Sequence, residues 1–289
     1  MKTLTVLYRG ALETCNYACD YCPFAKRKET PDKKQQDIIG LTNFIEWITR
    51  HPHINFTIFF TPWGEALVFK RYQQALAKLC QLSNVSKVII QTNLSTKLDF
   101  LTELDNQKLR FWCTYHPSET ALVRFIKQLK ILNQHQMIYS VGMVGKPELF
   151  DEIKQLRHAL SPNDYLWINA YVEDNKAYQY SDEQIIFLTT IDPLFPLNKP
   201  YKTLNLPCTA GEQAITVDEF GDIRRCHFIK NVIGSIKQTG WQRILTSKPC
   251  TNHYCDCHIG YVFLESFNAK AIFANQALER IPLNQNPTT

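Results

Sequence analysis

Along the first two thirds of this chain, short runs rich in β-branched and aromatic residues alternate with amphipathic stretches. That alternation limits the fold more than any other feature. The runs are Leu4–Tyr8, Ile54–Phe60, Lys87–Gln91, Arg110–Tyr115, Met137–Val144 and Tyr165–Val172, all with the length and composition of strands. Helix patterns lie between them: Leu41–Arg50 with Leu41, Phe44, Ile45 and Ile48 on one face, Val68–Leu82, Leu98–Gln107, and a stretch carrying Leu122, Phe125, Ile126 and Leu129. A further helix opens at Pro147 and carries Leu149, Ile153, Leu156 and Leu160, proline being suited to a first helical turn. Ser181 and Gln184 form a capping-box pair before Ile185–Leu188. Repeated strand–helix units imply a parallel sheet, and right-handed crossovers curl such a sheet into a closed or partial barrel. Ligands of barrels gather at the carboxyl ends of the strands. The loop after Tyr8, Gly64-Glu65, Asn93, His116 and Gly145 fall at those ends, so the pattern predicts that they face one mouth.

The first of these loops reads Cys15-Asn16-Tyr17-Ala18-Cys19-Asp20-Tyr21-Cys22, three thiols spaced C-x3-C-x2-C. Thiolates are soft ligands that favour iron–sulfur clusters or zinc. A closed structural zinc site takes four protein ligands. Three thiols leave one coordination position where a ligand can bind and react. The competing readings are a zinc knuckle without its fourth ligand and unrelated buried thiols.

The spacing resembles the signature of the radical S-adenosylmethionine (SAM) superfamily, with Tyr21 at its usual aromatic position before the last cysteine. The resemblance implies a partial (β/α)6 barrel over residues 1–190. It also implies that Cys15, Cys19 and Cys22 hold a [4Fe–4S] cluster whose fourth iron is chelated by the amino and carboxylate groups of SAM. Gly64-Glu65 resembles the turn that receives the SAM amino group, although Trp63 stands where the family has a first glycine. An ammonium needs acceptors, and glycine lets the backbone come close. Thr92-Asn93 resembles a pair that ends the third strand in this branch; Asn93 is read either as a SAM contact or as a loop cap. Thr114 and His116 end the fourth strand, where side chains touch SAM, while His116 before Pro117 also suits a structural role. Asn169 either faces adenine or fills the barrel. Cys80 and Cys113 read as small buried hydrophobes.

Beyond a Pro-rich linker, residues 191–207, the pattern changes. Ala214–Val217 and Asp222–Cys226 read as a hairpin around Gly221. Cys208, Gly221 and Cys226 give C-x12-G-x4-C, which resembles the start of the SPASM or twitch extension and implies an auxiliary [4Fe–4S] cluster in a small domain over residues 208–260. Cys250, Cys255 and Cys257 supply further thiols. Five candidates suit one cluster, with Cys208, Cys226, Cys255 and Cys257 preferred and Cys250 the spare. The competing reading is a zinc site that includes His258. Trp241–Leu245 reads as a short helix and Asn268–Arg280 as a single helix in the tail, residues 261–289.

Hydrophobic residues make up 45% of the 289, enough for a sizeable core. The 32 basic and 27 acidic residues leave a net charge of +5, too mild an excess to call for nucleic acid. The basic stretch Lys26-Arg27-Lys28 reads as a solvated loop or as a clamp for an anion. The start has no signal-peptide character and no run is long enough to span a membrane. Ten cysteines without a secretory signal fit a reducing cytoplasm better than a disulfide framework. The expected activity is reductive cleavage of SAM to a 5′-deoxyadenosyl radical that removes hydrogen from a peptide or small molecule. A flavodoxin or ferredoxin would supply the electrons. Many peptide maturases carry a leader-binding domain, and none is expected before the first strand. The alternative from another class is an iron–sulfur electron carrier that binds no SAM.

Overall fold

The computed structural model describes residues 2–24, 27–105, 107–174 and 176–283, with Glu103 described by its backbone alone. Lys26 of the basic stretch, Asn106 within the expected 98–107 helix, and tail residues 284–289 lie outside the described residues. The elements run β1 (Lys2–Arg9), α1 (Pro31–Thr49), β2 (Ile54–Phe60), α2 (Lys70–Gln81), β3 (Val85–Thr92), β4 (Leu109–Thr114), α3 (Leu122–Gln134), β5 (Ile138–Val144), α4 (Phe150–Ala159) and β6 (Leu166–Asn169). There follow β7 (Val172–Glu173), β8 (Lys176–Ala177), α5 (Asp182–Ile191), β9 (Tyr201–Lys202), β10 (Ala214–Asp218), β11 (Asp222–Arg224), β12 (Val232–Ser235), β13 (Tyr254–Cys255), α6 (His258–Tyr261) and α7 (Ala269–Phe273).

Strands β1 to β6 pair in sequence order and in parallel. The hairpin β10–β11 does not stand apart from them. β10 pairs in parallel with β1, Leu7 opposite Thr216, and the sheet continues through β11 and β12 to nine strands. The result is the α/β fold expected, a partial barrel whose sheet the C-terminal hairpin extends.

Side chains alternate across a strand, so both faces of this sheet need cover. Leu4, Val6 and Tyr8 of β1, Phe56, Ile58 and Phe60 of β2, and Val88 and Ile90 of β3 form one core with helix residues such as Phe44, Trp47, Leu76 and Leu79. Leu7, Phe59, Ile89, Trp112 and Trp167 point the other way, and residues 259–278 pack on them through Ile259, Tyr261, Phe267, Phe273 and Leu278. The concave side of the barrel is thus filled by the chain that follows the last cysteine. Lys87 at the start of β3 pairs with Glu279 at 2.6 Å and ties that segment down.

Three expected helices differ. α1 begins ten residues before Leu41, because the Thr30 hydroxyl accepts from Lys33 N and Pro31 fills the first turn. Residues 98–107 form only a 3-10 turn, Asp99–Glu103; the Asp105 carboxylate accepts from Gln107 N at 2.8 Å and turns the chain into β4. The single helix Asn268–Arg280 is replaced by the short α7, because Ala274 lies at φ 49 and Arg280 at φ 57, outside the helical region. β6 stops at Asn169, and Val172 belongs to the small β7–β8 hairpin. Residues 191–207 are packed: Phe195–Leu197 is a 3-10 turn and β9 pairs with β13. The Ser181–Gln184 capping box is present, and Cys80 and Cys113 are buried.

Candidate active site

The cysteine loop is held against the sheet by close backbone contact. A Cβ on Gly64 would lie 1.9 Å from the Thr14 carbonyl oxygen, so only glycine fits where the loop after β2 meets the loop after β1. Glu65 N donates to that same oxygen at 3.2 Å. Trp63 does not disturb this contact; it forms part of the cavity wall, stacks on Phe24 at 5.7 Å, and lies under the Arg9 guanidinium.

Cys15, Cys19 and Cys22 line one cavity of about 200 Å³ at the carboxyl ends of the strands. Gly64, Glu65, Asn93, Thr114, His116 and Asn169 line it too. Tyr21 stands just outside, its hydroxyl 2.8 Å from His116 Nδ1 and its ring stacked on the imidazole. The fold therefore gathers most of the N-terminal residues named from the sequence around a single space; Gly145 does not line it, but packs against Ile168 and accepts from the Tyr180 hydroxyl. Burial raises the Cys15 thiol and pushes Cys19 up to about 11, so a thiolate here needs a metal to form.

Glu65 is 3% exposed. Its carboxylate accepts from Thr92 Oγ1 at 2.8 Å, from Leu67 N at 3.0 Å and from Asn93 N at 2.5 Å. Burial pushes it up to about 7 against these three donors. Oε2 accepts one of these bonds and retains acceptor capacity. The Asn93 carboxamide is engaged with the loop: Oδ1 accepts from Ser95 N, and Nδ2 donates to Asn16 Oδ1 at 3.1 Å and toward Cys15 Sγ at 3.7 Å. His116 Nδ1 also lies 3.4 Å from Cys19 Sγ, and burial lowers the imidazole to about 4. Asn169 Oδ1 accepts from Arg280 Nη1 at 2.7 Å.

Sequence reasoning missed Tyr17, Gln91, Trp112 and Trp167, which line the same cavity. The period-two signal was available, since Gln91, Trp112 and Trp167 each lie two positions before a named residue. Trp167 lies where a Cβ on Gly142 would be, 1.9 Å from its ring, and its Nε1 donates to Ser140 Oγ.

Cys208, Cys226, Cys250, Cys255 and Cys257 form a second group in the apolar cluster on the concave face. Cys208 bridges to Leu264, Cys226 follows β11, and Cys255 ends β13. Cys250 N donates to Leu206 O and its carbonyl accepts from Asn205 N, two and three residues before Cys208. Burial raises Cys208 and Cys257, and pushes Cys226 up to about 11 and Cys255 to about 12. His258, next to Cys257, has its Nε2 2.6 Å from Ala277 O and packs its ring on Trp112, Tyr261 and Phe273. Among the described residues, no three His, Cys, Asp or Glu side chains are placed to hold a single metal ion, and no helix is long and apolar enough to cross a membrane.

No family profile matches the chain, and no curated protein matches it in sequence. Solved structures do match in fold. The structure of native anSMEcpe with bound AdoMet (SAM) and Kp18Cys peptide aligns with a TM-score of 0.55 at 11% sequence identity, over 85% of this chain and 81% of that one. Native anSMEcpe with bound AdoMet gives 0.52 at 12% identity, over 84% of this chain and 82% of that one. This chain shares its fold with these AdoMet-bound structures.

Proposed function

We propose that the protein is a radical SAM enzyme and that the cavity at the mouth of the barrel is its active site. The observation that carries this reading is that Cys15, Cys19, Cys22 and the buried Glu65 share one cavity wall. Three thiols that line one cavity suit an iron–sulfur group with a position left for a further ligand. When bound, a [4Fe–4S] cluster with SAM supplies reductive cleavage of the sulfonium and a 5′-deoxyadenosyl radical able to remove hydrogen from an unreactive C–H bond.

The residues divide the remaining work. Cys15, Cys19 and Cys22 hold the cluster. Asn93 donates toward Cys15 and braces the loop. Glu65 is fixed by three donors with acceptor capacity left for an ammonium. Thr114 and Asn169 offer polar contacts at the ends of β4 and β6. His116, neutral at ordinary pH and paired with Tyr21, holds the cysteine loop in place. Trp112 and Trp167 close the floor and keep water from the reacting centre. Cys208, Cys226, Cys250, Cys255 and Cys257 offer thiols for an auxiliary [4Fe–4S] cluster, and a flavodoxin or ferredoxin supplies electrons. The substrate is a peptide or a small molecule that enters past Phe24 and Trp63.

Anaerobic reconstitution tests this reading. The chain is expected to take up about eight irons as two cubanes. Replacing Cys15, Cys19 and Cys22 together by Ala should remove about half of the iron and all SAM cleavage. Cleavage that persists in the triple variant would overturn the assignment.

A further inference from the structure

Four arginines of this protein meet carboxylates: Arg27, Arg50, Arg71 and Arg224. Arg225 and Arg280 meet none among the described residues, although both are buried, Arg225 at 7% exposed and Arg280 at 3%. Their hydrogen-bond partners are neutral. Arg225 Nη2 donates to the carbonyls of Cys208 and Lys248. Arg280 donates to Asn169 Oδ1 and, at 2.8 Å, to Asn198 Oδ1. A buried cation without an anion is strongly unfavourable.

What the two share is the C-terminal cysteine group. Arg225 precedes Cys226 in sequence and bonds the backbone of Cys208. Arg280 lies over the rings of Trp167 and Trp112 at 4.9 and 5.9 Å, and those rings belong to the same apolar cluster as the five cysteines. His227, next to Cys226, adds two buried ring nitrogens with no partner, and it lines a small cavity with Arg225 and Cys226. Five neutral thiols would leave all of these groups uncompensated. A cubane on four thiolates is an anion that accepts hydrogen bonds at its sulfurs.

We propose that Arg225 and Arg280 form a cationic shell for an anionic iron–sulfur cluster on the C-terminal cysteines and raise its reduction potential, with His227 a further donor toward its sulfurs. The proposal rests on the auxiliary-cluster reading given above. The physical reason is that reduction adds negative charge, which nearby cations stabilise.

The test is a potentiometric titration followed by electron paramagnetic resonance, on the full chain reconstituted anaerobically. The Cys15, Cys19 and Cys22 to Ala background isolates the C-terminal signal. R225Q and R280Q remove the charge; R225K and R280K keep it. The Gln variants are expected to retain iron and to shift the C-terminal midpoint downward, while the Lys variants stay near the parent. Gln and Lys variants that behave alike, or a midpoint unmoved at full iron, would overturn the proposal. If R225Q does not fold, the Arg280 pair gives the same comparison. A parent chain holding about four irons and one zinc would overturn the auxiliary-cluster reading itself, and metal analysis separates that outcome from an unmoved potential.

Discussion

Glu65 is where burial and function meet at the scale of one residue. Its carboxyl, pushed up to about 7 by burial, is protonated below that pH and charged above it. Pairing with the ammonium of SAM needs the charged form. Binding is therefore expected to weaken as pH falls below about 7 and to level off above it, by about tenfold per unit once the proton must be released. Glu65→Gln should lose this pH dependence and bind SAM at least about tenfold more weakly, the scale of a charged hydrogen bond. Isothermal titration of the reconstituted protein across pH 5.5–8.5 checks both points; a flat profile for the parent would remove Glu65 from SAM recognition. Burial of this kind is hard to read in sequence. The Gly-Glu turn was legible, and Leu67 N is a local cap two residues on, but the partners Thr92 and Asn93 come from tertiary contact. Trp63 stands where the family has its first glycine, yet Gly64 alone makes the close approach to Thr14.

At the scale of elements, the strands were the most legible part because both faces of the sheet are buried, which forces apolar and β-branched composition along each strand. Their ends then indicated the cavity. Helices were less legible where polar residues carry the start, as in α1, whose first turns bear Asp32, Lys33, Lys34, Gln35 and Gln36. The contact between the β1 and β2 loops makes a sharp prediction. Gly64→Ala places a Cβ against Thr14 backbone that cannot turn aside. It is expected to cost about 1–3 kcal/mol and to lower the melting temperature of the apoprotein. An unchanged melting curve would mean that the two loops are not locked together.

Across the whole molecule, the least legible feature was the use of residues 258–281. The apolar positions within Asn268–Arg280 suggested one helix there. They instead follow the concave face of the sheet, so what they bury is set by Leu7, Phe59, Trp112 and Trp167 rather than by a helical period. Phe273, 2% exposed, is central to that cover. Phe273→Ala is expected to cost about 3–5 kcal/mol in chemical denaturation, with tryptophan emission shifted to the red as water reaches the barrel interior. A loss below about 1 kcal/mol, the range of ordinary surface changes, would show that the segment does not close the barrel. The five C-terminal cysteines were visible in sequence, but the buried arginines around them were not, because no local pattern marks a cation that lacks a carboxylate. The account as a whole depends on radical chemistry at the barrel mouth. Its most direct test is to incubate the anaerobically reconstituted, reduced protein with SAM and analyse the products by mass spectrometry. The account predicts 5′-deoxyadenosine and methionine in equal amounts; SAM left intact by a protein carrying its full iron would contradict it.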